Sequence, residues 1–125
     1  MRKILLSIKP EYVEQILAGT KLVEYRKRIP KDAVGMKVLI YCSSPIKRVV
    51  AEFTIGNFLL GSPGELWLKT STVGGVSQKA YEDYFENKTR AFAYQITDLR
   101  IFEQPKSLSD YGVVTAPQDY CYIEA

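Results

Sequence analysis

A long run of strand-forming residues, R-V-V-A-E-F-T-I-G-N-F-L-L, occupies positions 48–60 and limits most strongly how this chain can fold. Gly56 lies inside the run, where a residue without a side chain indicates a β-bulge or a sharp bend. Strands that bend in this way are typical of small barrels, whose sheet must turn a corner. The run therefore predicts a curved sheet.

The segments around this run predict further strands and short helices. Pro10 suits a first helical position and Gly19 a left-handed C-cap, so a helix is expected over Pro10–Ala18. Ser62 followed by Pro63 predicts the start of a second helix over residues 65–69, and Ser77 caps a third. The other strand-forming segments lie at residues 3–8, 21–29, 37–42, 89–97, 99–102 and 119–123.

This order of elements is irregular and lacks the β-α-β alternation of a doubly wound sheet. It predicts an α+β fold, a small bent mixed sheet or open barrel of about six strands with about three short helices. The length of 125 residues suits one domain, residues 1–125. No segment approaches the ~18 unbroken apolar residues of a membrane span, and the N-terminal apolar run is too short for a signal peptide. We therefore expect a cytoplasmic protein with no membrane partner.

The chain contains two cysteines and no histidine, which excludes serine–histidine triads, cysteine–histidine dyads and histidine-based zinc sites. Cys42 and Cys121 lack the short spacing of metal ligands, so the sequence predicts neither a metal nor an organic cofactor. Any catalysis must therefore use Lys, Glu, Asp, Tyr, Ser, Thr or Cys side chains.

The positive charge is concentrated in the first part of the chain. Residues 1–48 hold 11 Lys or Arg against 4 acids, whereas residues 49–125 hold 6 against 10. A small domain with this asymmetry is expected to have one positive face, for which phosphate-bearing ligands are the commonest partners. The alternative is a solvated basic surface with no partner.

The stretch A-G-T-K-L-V-E-Y-R-K-R-I-P-K, residues 18–31, carries much of this charge around a single acid, Glu24. Alternation along a strand puts the apolar pair Val23 and Tyr25 on one side, which is expected to face the core, and Glu24 and Arg26 on the other. Arg26 is suited to hold a phosphate or carboxylate, and Glu24 to orient Arg26, accept from a base edge or act as a base. A structural ion pair on an exposed strand explains the pattern equally well.

The motif G-T-K-L-V-E-Y-R, placed directly after a short helix, resembles the G-x-K-x-x-E-x-R signature of ASCH domains in the PUA-like superfamily. The flanking segments L-L-S-I-K-P-E-Y-V-E-Q-I-L-A and V-L-I-Y-C-S-S-P-I-K-R-V-V-A resemble the family as well. The resemblance implies a PUA-like barrel that binds RNA or a nucleotide in a positively charged cleft, often in regulators of transcription or translation.

The resemblance also implies which residues line that cleft. The implied ligand-binding residues are Lys9, Lys21, Glu24 and Arg26, with Ser43 and Ser44 at the rim. Tyr41 or Trp67 would suit stacking on a splayed base, although aromatic residues more often pack in cores.

Some ASCH relatives resemble amidohydrolases that deacetylate acetylcytidine with a lysine, a threonine and a glutamate. Lys21 matches the lysine, but Glu24 stands at the threonine position, and no acid occurs in T-S-T-V-G-G-V, where the glutamate is expected. An amidohydrolase or ribonuclease using Lys21 and Glu24 therefore remains the alternative, although a nearby Glu24 favours charged Lys21. A protein-interaction module is a third alternative, and the sequence does not fix the oligomeric state.

Overall fold

The computed structural model describes all 125 residues as a bent six-stranded sheet with three α-helices. The strands are β1 (Arg2–Ile8), β2 (Val23–Arg26), β3 (Lys37–Cys42), β4 (Arg48–Gly61), β5 (Ala91–Lys106) and β6 (Tyr120–Glu124). The helices are α1 (Pro10–Ala18), α2 (Pro63–Thr70) and α3 (Gln78–Tyr84), and a 3-10 turn spans Leu108–Tyr111. None of these helices has the length and apolar character needed to cross a membrane.

The strand order in the sheet is β2-β5-β4-β3-β1-β6, so β2 and β6 are its two ends. Only β1 and β3 pair in parallel, and the other pairs are antiparallel. The sheet is thus mixed and does not close by strand pairing. This arrangement confirms the predicted α+β fold of about six strands and three short helices.

The bend of the sheet is concentrated in β4 and β5, the two longest strands. Their pairing shifts register three times, and one shift lies between Ile55 and Phe58. The bulge predicted at Gly56 is therefore confirmed. The prediction of two strands over residues 89–102 was wrong, because β5 is continuous. Asp98 adopts a positive φ of 50°, and this conformation produces an irregularity within one strand where the sequence had indicated a break.

The helix boundaries follow local capping interactions. The predicted bounds of α1 are confirmed, with Pro10 in its first turn and Gly19 in the left-handed conformation at its C-cap. The second helix begins earlier than predicted, at Pro63, because Ser62 and Glu65 form a capping box. Ser77 accepts a hydrogen bond from the N–H of Ala80 and caps α3 as expected.

Three clusters of buried apolar side chains hold the sheet and its covering segments together. The largest contains 14 residues, including Ile4, Leu6 and Phe53, on the concave side of the sheet. A second cluster of 7 residues joins Val23 and Tyr25 of β2 to α2 and α3. A third cluster of 5 residues lies under the 3-10 turn. The prediction that Val23 and Tyr25 face a core is confirmed.

Gly74, in the loop before α3, provides a test of packing against β2. A Cβ atom at this position would overlap the ring and hydroxyl of Tyr25. We therefore expect Gly74→Ala to destabilise the protein by about 1–3 kcal/mol through overpacking. Thermal unfolding followed by circular dichroism measures the effect.

Gly64→Ala is the matched control, because a Cβ atom at Gly64 meets nothing within 4 Å. Gly64 lies in the first turn of α2, where alanine is the better helix former. This variant should unfold at the wild-type temperature or slightly above it. Equal unfolding temperatures for the two variants would contradict the close packing of Gly74 on Tyr25.

Candidate functional site

The turn between α1 and β2 places Lys21 beneath the end of the helix. Gly19 ends α1 with a φ of 80°, a conformation that glycine adopts without steric cost. The N–H groups of Thr20 and Lys21 then both donate to the carbonyl oxygen of Gln15, at 3.0 and 3.1 Å. This hydrogen-bonded turn reverses the chain and sends the Lys21 side chain into the interior.

A pocket of about 230 Å³ lies where the end of β1, the start of α1, β2 and α3 meet. The predicted residues Lys9, Lys21, Glu24 and Arg26 all line it, and Ser7 of β1 lines it too. The Ser7 hydroxyl is buried and has no hydrogen-bond partner in the protein. The structure thus brings four of the six sequence-predicted site residues into one concave space.

Three charged side chains of this pocket form a buried ion cluster. Lys21, Glu24 and Arg26 are only 1%, 7% and 8% exposed. The Nζ of Lys21 lies 3.4 Å from Oε1 of Glu24. The Nε and Nη2 of Arg26 converge on Oε2 of the same carboxylate, at 3.0 and 2.7 Å. The structural pair that was the alternative in the sequence analysis does form between Glu24 and Arg26, but it is buried and not exposed.

The ammonium of Lys21 is held by four neighbours. Its Nζ donates to the carbonyl oxygen of Gly74 at 2.5 Å, and it lies 5.5 and 5.2 Å from the ring centroids of Tyr12 and Tyr25. Burial lowers the pKa of Lys21 below its usual value, although Glu24 acts in the opposite direction. Glu24 favours the charged form of Lys21, as the sequence analysis expected, but desolvation is the larger effect on the pKa.

Arg26 joins the two ends of the open sheet. The pairing of β1 with β6 ends at Leu6 and Tyr120. Just beyond that point, Nη2 of Arg26 donates to the carbonyl oxygen of Ser7 at 3.0 Å, and Nη1 donates to that of Asp119 at 3.5 Å. Burial alone would lower the pKa of Arg26, yet Glu24 helps to raise it, so the guanidinium stays charged. One side chain of β2 thus reaches both β1 and the start of β6.

Four tyrosines, Tyr12, Tyr25, Tyr81 and Tyr84, form the aromatic part of the pocket. Tyr25 hydrogen-bonds Thr70 at 2.6 Å, and Tyr81 donates to the carbonyl oxygen of Pro63 at 2.6 Å. Burial raises the pKa of Tyr81 to about 12. Tyr12, Tyr81 and Tyr84 were not among the site residues predicted from the sequence. Each lies on a helix and lines the pocket, and the available signal was the polar hydroxyl that each adds to its helix.

Ser43 and Ser44, predicted at the rim, do not line the pocket. The N–H of Ser43 donates to the carbonyl oxygen of Ile8 at 3.0 Å and extends the β1–β3 pairing by one residue. The turn after β3 is therefore held along the edge of β1 opposite to the edge that pairs with β6. Ser7, on β1 itself, is the serine that reaches the pocket.

The two aromatic side chains considered for base stacking lie elsewhere. Tyr41 is buried in the cluster under the 3-10 turn, and Trp67 packs on Tyr81 with ring centroids 4.9 Å apart. Both positions agree with core packing, which the sequence analysis favoured. No group of three or more Cys, Asp or Glu side chains is arranged to hold a metal ion.

The fold and the site together define a class of protein, a small open-sheet domain with a pocket beside a buried ion cluster. The family model of the ASCH domain matches residues 6–104 of the chain. The chain therefore belongs to the ASCH domain family, as the resemblance of its lysine–glutamate–arginine motif had implied.

Two relatives and one solved structure illustrate this membership. An ASCH domain-containing ribonuclease of Zymomonas mobilis is 31% identical over 97 residues, which cover 78% of this chain and 66% of the relative. The large ribosomal subunit protein uL22 of Ureaplasma parvum is 30% identical over 122 residues, or 97% of this chain but only 39% of that protein. The crystal structure of an ASCH protein from Zymomonas mobilis is similar with a TM-score of 0.89 at 27% identity, covering 98% of this chain and 87% of that one.

The lowered pKa of Lys21 makes a prediction about stability and pH. Because the folded protein disfavours the charged amine, it binds fewer protons than the unfolded chain at pH values between the lowered pKa and that of a free lysine, about 10.4. Stability contributed by Lys21 therefore rises with pH in this window. We expect the unfolding free energy of wild type minus that of Lys21→Met to increase as the pH rises towards about 10.4, measured by urea denaturation.

The comparison between variants cancels the ionisation of tyrosines, which both proteins share. Lys69→Met is the control, because Lys69 is exposed and does not line the pocket. The difference in unfolding free energy between wild type and Lys69→Met should stay constant with pH. A constant or shrinking difference for Lys21→Met would contradict the effect assigned to burial.

Proposed function

We propose that this chain binds single-stranded RNA and that its pocket takes one unpaired nucleotide. The observation that carries the proposal is the buried ion cluster, which places a lysine amine at the base of a pocket lined by four tyrosines. Buried charged groups with a perturbed pKa in a concave space are candidates for a functional site. The ribonuclease relative from Zymomonas mobilis supports RNA as the ligand.

The chemistry of the pocket suits a nucleotide with an accessible base. Lys21 has three N–H donors, of which the Gly74 carbonyl and Glu24 take two, so one is left for an acceptor on the ligand. The tyrosine rings offer stacking surfaces for a base. A volume of about 230 Å³ is small for a ligand site and suits one base that has left its stack, as in single-stranded RNA.

The positive charge at the pocket mouth would contact the RNA backbone. Lys9 is exposed, immediately precedes α1 and lines the pocket, and it takes no part in the buried ion cluster. An exposed ammonium in this position can neutralise a phosphate next to the bound base. We further propose that this RNA binding serves to regulate transcription or translation, as the family resemblance implies.

Lys9→Ala tests the RNA-binding proposal without disturbing the buried charges. We expect it to weaken binding of a labelled single-stranded RNA by about threefold to tenfold, because one phosphate contact is lost. The dependence of log Kd on log salt should become shallower by about 0.7. Fluorescence anisotropy at several salt concentrations measures both quantities.

Lys69→Ala controls for the loss of one positive charge, since Lys69 is exposed on α2 and away from the pocket lining. It should bind RNA as the wild type does. The proposal fails if Lys9→Ala and Lys69→Ala have the same affinity, or if the wild-type protein prefers duplex RNA to single-stranded RNA.

Cleavage of the bound RNA is a second candidate function, favoured by the lowered pKa of Lys21 and by the ribonuclease relative. A neutral Lys21 amine would accept the proton of a ribose 2′-hydroxyl. The 2′-oxygen would then attack the adjacent phosphorus while the bond from phosphorus to the 5′-oxygen breaks. The products would be a 2′,3′-cyclic phosphate and a 5′-hydroxyl protonated by water. Glu24 would position the amine.

Deacetylation of acetylcytidine has less support. The loop before α3 contributes the carbonyl of Gly74 to Lys21, at the place where the amidohydrolase branch has a glutamate. Glu24, at the threonine position of that branch, is occupied by Lys21 and Arg26. Neither group is arranged as a hydroxyl nucleophile or as a free base.

A cleavage assay separates these readings. If Lys21 is the base, we expect RNA cleavage to disappear in Lys21→Met and with 2′-deoxy substrate, since each change removes one partner of the proton transfer. The cleavage rate of the wild type should rise with pH through a pKa below that of a free lysine. Cleavage of 2′-deoxy substrate would exclude this mechanism, and release of acetate from acetylcytidine would favour the amidohydrolase.

A further inference from the structure

A second group of charged side chains surrounds Glu52 on β4, and we call it the Glu52 cluster. Glu52 is 5% exposed. Its Oε2 lies 2.6 Å from Nζ of Lys3, and its Oε1 lies 3.8 Å from Nζ of Lys37 and 3.6 Å from Nη2 of Arg100. Four strands contribute to the cluster, because Lys3 is on β1, Lys37 on β3 and Arg100 on β5.

The positive charges of the Glu52 cluster exceed the negative ones. Burial alone would raise the pKa of Glu52, but the hydrogen bond from Lys3 and the nearby cations lower it overall, so the carboxylate is ionised. Lys3 makes the short contact and satisfies that carboxylate. Lys37 and Arg100 lie beyond hydrogen-bond distance, and their side chains are 39% and 65% exposed. Two cations therefore remain available to a further anion.

A cavity of about 440 Å³ opens beside this cluster. Lys3, Arg100 and Lys106 line it, together with the neutral donors Gln104 and Tyr111. Lys106 takes part in none of the ion pairs of the structure. The cavity lining also has two acids, Glu103 and Glu52, and Lys3 is paired with the second of them. Because hydrogen-bond donors and cations predominate, the cavity is complementary to an anion with several oxygen atoms.

We propose that this cavity is a second binding site, for the phosphate group of an RNA strand or of a free nucleotide. A phosphate presents several acceptor oxygens at once, which matches the forked donors of Arg100 and the ammonium of Lys106. Glu52 acts as a positioning residue, since it keeps Lys3 and Arg100 turned toward the cavity without occupying the remaining donors.

The cavity is separate from the pocket of the proposed function. Lys3 and Ser7, at opposite ends of β1, line the cavity and the pocket respectively. Their Cα atoms are about 13 Å apart at the usual rise of a strand. Leu5, between them, is fully buried under the 3-10 turn. The two sites are therefore distinct, and the present proposal does not require the first pocket to bind RNA.

The test compares charge changes of opposite sign on the same cavity. The double variant Arg100→Gln/Lys106→Ala removes the two exposed cations of the cavity lining, whereas Glu103→Gln removes an acid from the same lining. We expect about tenfold weaker binding for the first and tighter binding for the second, because both act on one phosphate. The probes are uridine 5′-monophosphate, uridine and inorganic phosphate, followed by amide NMR shifts, and a labelled single-stranded RNA, followed by anisotropy.

The pattern of responses identifies the source of the phosphate. A response to the monophosphate at residues 100–106, absent with uridine, would assign a free nucleotide. An effect of the double variant on RNA alone would assign the phosphodiester backbone. The proposal is overturned if neither probe responds, if Glu103→Gln has no effect on either, or if an acidic peptide competes as well as the phosphate ligands.

The two sites are distinguished by combining variants. If Lys9→Ala weakens RNA binding and the double variant changes neither RNA nor nucleotide binding, the pocket stands and the second site fails. If only the double variant has an effect, the second site stands and the proposed function of the pocket fails. Circular dichroism and thermal unfolding establish that each variant is folded.

Discussion

The sheet of this domain depends on a side chain to connect its two ends. β2 and β6 are the terminal strands and are not paired with each other. Arg26 spans this opening, since its guanidinium contacts Glu24 on its own strand and the carbonyl groups of Ser7 and Asp119 across the gap. Those carbonyls lie just beyond the last β1–β6 pair and would otherwise be unsatisfied. Removing one partner of such a buried charge pair typically costs about 3–5 kcal/mol.

The Glu24–Arg26 pair also affects the pKa of Lys21 in the pocket. Glu24 has one carboxylate for two buried cations, and Arg26 makes the closer contacts, at 2.7 and 3.0 Å, against 3.4 Å for Lys21. Lys21 thus receives only part of the compensation that a full ion pair would give, while its burial is nearly complete. The Glu24 carboxylate is shared between two cations. The closure of the sheet by Arg26 and the lowered pKa of Lys21 both follow from this sharing.

The sequence alone predicted the local features of this arrangement. Caps at Pro10, Gly19 and Ser77 depend on neighbouring residues, and they set the helices. Alternation placed Val23 and Tyr25 against a core. The sequence did not show that Glu24 and Arg26 are buried too, because that burial arises from contacts with residues up to 93 positions away. A four-residue strand with both faces covered cannot be distinguished from an exposed strand by its alternation.

The misassigned site residues have the same origin. Ser43 and Ser44 directly follow β3, and polar residues in such a position often belong to a site. β3, however, pairs with one edge of β1, whereas Arg26 contacts Ser7 just beyond the pairing of β1 with β6 on the other edge. The residue in contact with the pocket is Ser7, whose neighbours in sequence are apolar and give no signal of a site. Strand order is a property of long-range pairing, so a motif can identify the β2 residues while the residues that face them across the gap are found only in the fold.

The cations concentrated in the first part of the sequence lie in two separate groups in the fold. Most cations precede residue 49, and the sequence predicted that they share one face. In the structure, β1 and its neighbours distribute them: Lys9, Lys21 and Arg26 adjoin the pocket, whereas Lys3 and Lys37 adjoin Glu52. Each group is organised around one buried carboxylate, Glu24 or Glu52, with more cations than that carboxylate neutralises. A buried acid that orients an excess of cations is an arrangement suited to anions, because the cations are held in position before the ligand arrives.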